Sequence, residues 1–375
     1  MRTKRTPAVL AALLSMLLCG SLQAAPPAEV MTALKRGVAP SIWFTYRGSS
    51  DIDTSRWYPD ADDFRRMRAL GFRHIRVQLD PAWLLDPAKP GTLRPERLAE
   101  LKQNLVTAQS YGLMVVLVPE PDGEAKRRYV QSESGAVELE VIWRALAKAL
   151  RDQPVNRLVF EVLNEPESAD AASNRALMQR LVTAIRSQAP RHSIVVEGHA
   201  YSGVDELVAM QPLADSNLIY SFHFYEPFNF TYQGAFWGWP LWKKFSNWPY
   251  PSSPEAVAPL LAAADAEARP YLADYGQQRW NRARIDARLD QVGLWAARNE
   301  VAVWCGEFGV TRLGPPLDAR RRWLTDVREA LDARRIPWTL WDYTGNFALV
   351  TGKQGARVLD PADVVALDLT LPTGR

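Results

Sequence analysis

Eight short apolar runs alternate with amphipathic stretches along almost the whole chain. They occupy residues 41–44, 74–77, 114–118, 158–162, 194–196, 218–223, 301–305 and 338–341. The runs lack the polar alternation of a half-exposed sheet, so each predicts a strand that is covered on both faces. Helical patterns separate them, as where Leu177, Leu181 and Ile185 share one face before Pro190. Eight strands that alternate with helices predict the α/β class and a single (β/α)8 TIM barrel.

A doubly wound open sheet is the alternative architecture, but no Gly-rich phosphate turn follows the first run. The spacing of the runs departs from regularity once, because about 80 residues separate the sixth run from the seventh. Residues 228–280 lie in this interval, are rich in aromatic side chains and predict a loop insertion after strand 6. Loops that follow strands build the active face of a barrel, so the insertion is expected to overhang that face.

The beginning of the chain has the pattern of an export signal. Basic residues precede an apolar run at 9–18, and Ala24 offers a small residue for cleavage. The run has about half of the roughly 20 residues needed to span a bilayer, so no membrane span is expected. We therefore expect a signal peptide at 1–24, one mature domain at 25–375, and a periplasmic or extracellular protein.

Composition after removal of this signal argues against several classes of protein. The chain has 45 basic and 42 acidic residues, and Arg2, Lys4 and Arg5 fall within the signal, which leaves 45 − 3 = 42 of each. A net charge of zero gives no indication of nucleic-acid binding. Cys305 is the one cysteine that remains, so no disulfide is expected. Four scattered histidines do not predict a metal site, and no nucleotide-binding motif predicts a cofactor.

Two glutamates stand at the ends of apolar runs. Glu165 follows the fourth run within Asn164-Glu165-Pro166, and Glu307 ends the seventh within VAVWCGEFG. They are 307 − 165 = 142 residues apart, but the carboxyl ends of all barrel strands meet at one mouth. Two carboxyl groups that face one cleft are the minimum equipment for cleaving a glycosidic bond. A helix-start carboxylate at Glu165 and a rim ion pair at Glu307 are the structural alternatives.

These two motifs, together with others in the same order, resemble glycoside hydrolase family 5, the cellulase-like enzymes. The resemblance covers residues 36–342. Besides the NEP and GEFG motifs, the matching residues are Arg76 in the second run, His223 and Tyr225 at the sixth, and Trp341 at the eighth. A single NEP motif would be weak, but an ordered set of this kind is specific.

The resemblance implies a (β/α)8 barrel and a retaining double displacement. Glu165 would be the acid/base and Glu307 the nucleophile. Substrate-binding roles are implied for Arg76, Asn164, His223, Tyr225 and Trp341. Asn164 is expected to donate a hydrogen bond to a sugar 2-hydroxyl, and Trp341 offers a flat apolar face on which a pyranose ring can stack.

The chain departs from the family pattern after the third run, where the family usually has a histidine. Pro119, Glu120 and Pro121 stand there instead. This departure leaves open which residues contact the sugar on that side of the cleft, and Glu120 is a candidate hydroxyl acceptor. His199, in the loop after the fifth run, is a further candidate for substrate binding, because loops after barrel strands favour function.

Tryptophans near predicted strand ends and in the insertion are the remaining candidates. Trp237 and Trp239 are predicted to be sugar-stacking platforms at the cleft, and Trp43 and Trp83 are similar candidates at earlier strand ends. A local core that closes the insertion is the alternative interpretation for its aromatic side chains.

The resemblance implies a β-linked polysaccharide or oligosaccharide as substrate, with a β-glucan as the first expectation. β-Mannan, β-1,3-glucan and transglycosylation on the same site are alternatives. A non-catalytic carbohydrate-binding barrel is the alternative from another class, and it would need neither Glu165 nor Glu307. We expect a monomer that uses no metal or organic cofactor and binds no nucleic acid.

Overall fold

Eight parallel strands form a closed barrel in chain order, and the first pairs with both the second and the eighth. The computed structural model of the chain describes residues 25–45 and 57–371, so the predicted signal peptide lies outside the described residues. The barrel strands are β1 (Arg36–Val38), β2 (His74–Leu79), β3 (Met114–Pro119), β4 (Leu158–Glu161), β5 (Ile194–Glu197), β6 (Leu218–Phe224), β7 (Ala302–Phe308) and β8 (Trp338–Leu340). The alternation of apolar runs with helical patterns thus predicted the fold correctly.

Helices connect the strands on the outside of the barrel. They are α1 (Ala28–Leu34), α2 (Ala61–Ala69), α3 (Pro81–Leu84), α4 (Pro95–Ser110), α5 (Gly123–Gln131), α6 (Glu133–Leu150), α7 (Ala171–Arg186), α8 (Val204–Val208), α9 (Phe228–Thr231), α10 (Pro254–Leu261), α11 (Arg269–Gln278), α12 (Arg282–Asn299), α13 (Leu317–Ala333) and α14 (Pro361–Ala366). A short antiparallel hairpin, β9 (Val350–Thr351) with β10 (Val358–Leu359), precedes α14. None of the described helices combines the length and the apolar character needed to cross a membrane.

The predicted position of the first strand was wrong. Residues 41–44 follow β1 rather than forming it, and only Phe44 makes an isolated bridge, to Leu79. The run is apolar because it packs into an aromatic cluster, in which the ring centres of Trp43 and Phe44 lie 4.7 Å apart and those of Phe44 and Trp83 lie 5.1 Å apart. Trp43 and Trp83 are buried in the core. They are therefore not the cleft platforms that the sequence suggested.

The amino-terminal end of the barrel, here called the lower end, is closed by α1. Val30 and Leu34 of this helix are fully buried and pack against inward-facing side chains of the strands. Those side chains are Met114, Val116, Val159, Val195, Ile219 and Trp304. The lower half of the interior is therefore a packed apolar core, as expected for a barrel whose interior is filled by side chains.

Residues 228–280 form a helical insertion between β6 and the helix that precedes β7. Its aromatic side chains build a small core of their own, in which the rings of Phe245 and Trp248 stack at 4.2 Å and those of Trp248 and Tyr275 at 5.5 Å. This stacking buries the interior of the insertion against the barrel. Tyr232, Phe236 and Trp237 remain at its edge, where they line the cleft described next.

Candidate active site

Glu165 and Glu307 face each other across a cleft at the carboxyl end of the barrel. A carboxylate oxygen of Glu165 and one of Glu307 lie within 4.8 Å of each other. Retaining glycosidases hold their carboxyl groups roughly 5–5.5 Å apart, whereas inverting enzymes need roughly 6.5–9.5 Å to admit a water. The cleft has a volume of about 440 Å³. Its carboxyl spacing therefore matches the retaining geometry.

A bulge in β7 turns Glu307 toward the interior. His223 of β6 pairs with Glu307, whereas the preceding residue of β6, Phe222, pairs with Cys305, so Gly306 is an extra residue in the ladder. A Cβ atom on Gly306 would lie 2.5 Å from the Ser221 hydroxyl, so only glycine fits the bulge. The glycine before the glutamate thus has a geometric role, because it places Glu307 on the inward face.

The carboxylate of Glu307 is held at both oxygens. The Arg76 guanidinium donates to Oε1 at 2.5 Å, and the Tyr225 hydroxyl donates to Oε2 at 2.6 Å. Burial and the charge of Glu307 both raise the pKa of Tyr225, so this hydroxyl remains a donor. The amide of Gln78, which the sequence did not single out, lies 3.5 Å from Oε1. These contacts fix the orientation of the carboxylate and compensate its charge.

Glu165 is held by its backbone as well as by its side chain. Its φ of 43° lies in the left-handed region, which a glutamate seldom adopts. The Glu165 N–H donates to Oε2 of Glu197 at 2.7 Å, which stabilises this conformation. The side-chain Oε1 lies 2.8 Å from Nδ1 of His223. The second carboxyl oxygen, Oε2, is thereby left available for the cleft.

Two buried glutamates beneath the cleft were missed by the sequence analysis. Glu161 accepts two hydrogen bonds from Arg76, at 2.8 and 3.0 Å, and Glu197 accepts from the Ser202 hydroxyl at 2.6 Å. Oε1 of Glu197 lies 3.6 Å from the Arg76 guanidinium and 3.2 Å from Nε2 of His223. Each glutamate ends an otherwise apolar strand, and a carboxylate in such a run is the signal that could have identified them.

The electrostatics of this buried cluster favour a protonated histidine. Burial alone would lower the pKa of His223, but the charges of Glu307 and Glu197 raise it well above its ordinary value. Burial and the charge of Glu197 raise the pKa of Glu161, whereas His223 and Arg76 lower that of Glu197 against the effect of burial. Arg76 and His223 are therefore the buried cations that balance the carboxylates around them.

Arg76 also orients Asn164, whose side-chain oxygen accepts from the guanidinium at 2.6 Å. That contact occupies the side-chain oxygen of Asn164, so the amide N–H groups are the donors that it can offer to other partners. Trp341, at the end of β8, lines the cleft together with Trp237. All of the residues for which the family resemblance implied a role are thus brought together at one mouth: Arg76, Asn164, Glu165, His223, Tyr225, Glu307 and Trp341.

Two predicted cleft residues lie elsewhere. Trp239 packs edge-on against Trp242, Phe245 and Tyr271 in the core of the insertion, so it closes the loop instead of facing substrate. His199 is absent from the residues that line the cleft, and its Nδ1 is buried without a hydrogen-bond partner among the described residues. The chain turns sharply directly after His199, because Ala200, Tyr201 and Ser202 have left-handed φ values of 48°, 71° and 57°.

Glu120 occupies the place of the histidine that the family usually has. It lines the cleft, and both of its oxygens accept from Lys126 Nζ of α5, at 3.1 and 3.2 Å. Burial raises the pKa of Glu120 to about 7, against the lowering effect of Lys126. Asp342, beside Trp341, also lines the cleft, and burial raises its pKa to about 7.

Two trios of described side chains are close enough to share a cation. One comprises Glu161, Glu197 and His223, and the other comprises Glu165, His223 and Glu307. The raised pKa of His223 means that its imidazole carries a proton, which competes with any metal ion. Glu161, Glu197 and Glu307 of these trios already accept from arginine, tyrosine or serine donors, and Glu165 contacts His223. The donor set therefore fits an ion-pair network better than a metal centre.

Comparison with known proteins agrees with this geometry. Endoglucanase 3 of Fibrobacter succinogenes is 31% identical over 229 residues, which cover 59% of this chain and 34% of that protein. The chain therefore spans about a third of the length of that relative. Endoglucanase C of Acetivibrio thermocellus is 23% identical over 329 residues, covering 84% of this chain and 92% of that protein.

Solved structures share the fold. A hyperthermophilic endo-β-1,4-glucanase in complex with substrate superposes with a TM-score of 0.74 at 22% identity, covering 91% of this chain and 98% of that one. The cellulose synthase subunit Z of Clostridioides difficile gives 0.72 at 22% identity, covering 89% and 99%. The family description "Cellulase (glycosyl hydrolase family 5)" matches residues 38–347. The chain thus belongs to glycosyl hydrolase family 5, the cellulase family.

Proposed function

We propose that this glycoside hydrolase cleaves a β-linked glucan by a retaining double displacement, with Glu307 as nucleophile and Glu165 as acid/base. The observation that carries the proposal is the approach of the two carboxylates to within 4.8 Å across the cleft. The alternative from another class, a non-catalytic binding barrel, would not need two carboxyl groups at this spacing. It would not need Arg76 and Tyr225 to hold one of them either.

In the first step, an oxygen of Glu307 attacks the anomeric carbon while Glu165 gives its proton to the leaving glycosidic oxygen. The bond to the leaving sugar breaks, and a covalent glycosyl-enzyme remains. In the second step, a water attacks the same carbon, and Glu165 accepts the proton of that water. The Glu307 carboxylate leaves, which restores the enzyme and retains the configuration of the sugar.

The surroundings of each glutamate suit these roles. Arg76 and Tyr225 orient Glu307 for attack and stabilise its charge when it departs. His223 contacts Oε1 of Glu165, which leaves Oε2 to carry the proton to the leaving oxygen. The left-handed backbone of Glu165, held by Glu197, adds rigidity to that placement.

The walls of the cleft suit a pyranose. The Asn164 amide can donate to the 2-hydroxyl of the sugar that is attacked, a contact that strengthens in the transition state. Trp341 and Trp237 offer apolar faces for stacking. Phe236, which is 75% exposed and packs edge-on against Trp237, extends the aromatic surface beyond the cleft.

A β-1,4-glucan is the substrate that we propose first, because the matching relatives are endoglucanases. β-Mannan is a second candidate, since a structure of Cel5A from Thermotoga maritima with a similar fold contains mannotriose. We further propose that the mature chain is exported and acts as a monomer that binds no nucleic acid. The leader pattern supports export, and the balanced charge of the mature chain gives no indication of nucleic-acid binding.

The test is the release of reducing sugar by the purified mature chain on β-1,4-glucan, β-1,3-glucan and β-mannan. Glu307→Gln removes the nucleophile with little change in shape, so we expect a loss of at least about 10⁴-fold in turnover. Glu96→Gln, at an exposed position on α4, is the matched control and should keep full activity. A Glu307→Gln protein with near-normal rates would overturn the nucleophile assignment, and a folded wild-type protein that binds glucan without cleaving it would favour the binding barrel.

A further inference from the structure

Glu120 and Lys126 form an ion pair on one wall of the cleft. Lys126 is 6% exposed, and its Nζ lies 3.1 and 3.2 Å from the two oxygens of Glu120. Burial alone would lower the pKa of Lys126, but the charges of Glu120 and Glu165 raise it, so the ammonium stays charged. A buried charge pair needs good geometry to be tolerated, and this one has it. Lys126 therefore fixes the Glu120 side chain in one position.

Glu120 and Asn164 lie side by side on the cleft wall, because the backbone N–H of Asn164 donates to the carbonyl of Pro119, the residue before Glu120, at 3.0 Å, and both side chains line the cleft. The amide of Asn164 favours the ionised form of Glu120 by hydrogen bonding, and the charge of Glu165 acts on Glu120 in the opposite sense. The side-chain oxygen of Asn164 accepts a hydrogen bond from Arg76, so the N–H groups of its amide are left to donate to Glu120 and to a bound sugar. A sugar substituent that contacts the Asn164 amide is consequently also close to the Glu120 carboxylate.

The described cleft residues carry no positive side chain of their own to complement a negative substrate. Four of them are acidic, namely Glu120, Glu165, Glu307 and Asp342, and none is a lysine or arginine. The side chain of Glu120 is 18% exposed, so a part of the carboxylate reaches the cleft. Above its pKa of about 7, Glu120 is ionised and can only accept hydrogen bonds, whereas the histidine expected in this place could donate or accept them.

We propose that Glu120, held by Lys126, is a specificity-determining residue that accepts a hydrogen bond from the 2-substituent of the sugar beside Asn164. This proposal rests on the proposed function, because it assigns the sugar contact to the same cleft. It predicts that the site takes a sugar with a hydroxyl or an amino group at this position. We expect a 2-acetamido group to be rejected, because its carbonyl oxygen would lie against the Glu120 carboxylate, and two oxygens that both accept hydrogen bonds repel each other.

An amino group is the more informative substituent. A protonated amine that donates to a carboxylate makes a charge-assisted hydrogen bond, which is roughly twice as strong as a neutral one. The same contact favours the ionised form of Glu120. Loss of the Glu120 charge should therefore weaken the binding of a glucosamine unit more than that of a glucose unit, although the two sugars are nearly the same size.

The experiment compares kcat/KM for three β-1,4-linked tetrasaccharides, those of glucose, of glucosamine and of N-acetylglucosamine. We expect the wild-type enzyme to cleave the first two and to reject the third. Glu120→Gln should lower kcat/KM for the glucosamine tetramer about tenfold more than for the glucose tetramer. Glu124→Gln removes an exposed charge from the first turn of α5 and is the matched control, with both ratios unchanged.

The outcomes separate this proposal from the proposed function. Suppose that the enzyme cleaves the glucose tetramer, and that Glu120→Gln leaves the ratio of kcat/KM for the glucosamine tetramer to kcat/KM for the glucose tetramer unchanged. That result would overturn the role of Glu120 and leave the proposed function intact. Wild-type cleavage of the acetylated tetramer at a rate similar to that of the glucose tetramer would overturn it without any variant, which covers the case in which Glu120→Gln does not fold. A folded wild-type enzyme that cleaves none of the glucan substrates would overturn both proposals.

Discussion

The lower and upper halves of the barrel interior are built by the same strands, but their chemistry is opposite. On β4, Val159 packs into the apolar lower core, and Glu161, two residues later on the same face, binds Arg76. On β5, Val195 and Glu197 repeat this change. Two residues advance a strand by about 6.6 Å, so the interior passes from apolar to charged within one layer of side chains.

This contrast indicates that the lower half of the interior stabilises the fold, whereas the upper half carries the groups needed for activity. Burial of charged groups costs free energy unless each is paired, and the described strands of the upper half carry several such groups, namely Arg76, Glu161, Glu197, His223 and Glu307. The lower half offsets this cost through close packing, in which burial stabilises by about 25 cal/mol for each Å² of apolar surface. Changes in the upper half should therefore alter activity first, and changes in the lower half should alter stability first.

Among the changes that compare the two halves, Glu165→Ala in the upper half should have the largest effect. Poor leaving groups need a proton from Glu165, so kcat/KM on cello-oligosaccharides should fall by about 10³-fold. Activated aryl cellobiosides need no such proton for the first step, and azide can attack the glycosyl-enzyme in place of the activated water. Rates with azide should rise, and the product should be the β-glycosyl azide. The absence of rescue on an aryl substrate, in a variant that melts like the wild type, would contradict the acid/base role.

Leu34→Ala tests the lower half. Leu34 is fully buried where α1 closes the barrel, and the truncation leaves a cavity that the packed interior cannot fill. We expect the free energy of unfolding to fall by about 2–4 kcal/mol, with kcat at 25 °C unchanged. Urea denaturation and initial rates measure the two quantities. Leu294→Ala, on the exposed surface of α12, is the control and should change neither. A loss of kcat in folded Leu34→Ala would show that the two halves are not separable.

The sequence predicted the upper half less completely than the fold. Strands β2 to β8 were found because a strand covered on both faces is apolar throughout. The first strand was misplaced because the buried aromatic run at 41–44 has the same composition. Glu165 and Glu307 stood out through the NEP and GEFG motifs, whereas Glu161 and Glu197 end apolar strands without such a motif, and Arg76 is 85 residues from Glu161. Such pairing depends on barrel closure, which no local pattern encodes.

The pH dependence of stability distinguishes the halves further, through Asp342 at the upper mouth. Burial raises the pKa of its carboxyl from 3.8 to about 7 in the folded chain, so between these values the folded state holds a proton that the unfolded state has lost. The free energy of unfolding contributed by this group therefore falls as pH rises through that window. Asp342→Asn cannot titrate at this position. We therefore expect the free energy of unfolding of Asp342→Asn, relative to that of the wild type, to be about 1–3 kcal/mol higher at pH 8 than at pH 5. Asp318→Asn, an exposed control, should show no such gain, and a gain that is equal at both pH values would contradict the assignment.

The smallest effect concerns Trp237 and Trp239, which are two residues apart in the insertion. One lies in the cleft and the other in a packed core, so the pair repeats the contrast between the two halves of the barrel interior. Trp237 lines the cleft, so Trp237→Ala should raise KM for cello-oligosaccharides about tenfold, since a stacked aromatic ring contributes on the order of 1–1.5 kcal/mol. Trp239 packs against Phe245 and Tyr271, so Trp239→Ala should lower the free energy of unfolding by about 1–3 kcal/mol and leave KM unchanged. Steady-state kinetics and urea denaturation of both variants decide the matter. If both variants changed KM and the free energy of unfolding to the same extent, sugar contact and packing would not be separable within the insertion. The separation of the two roles would then hold for the barrel interior alone.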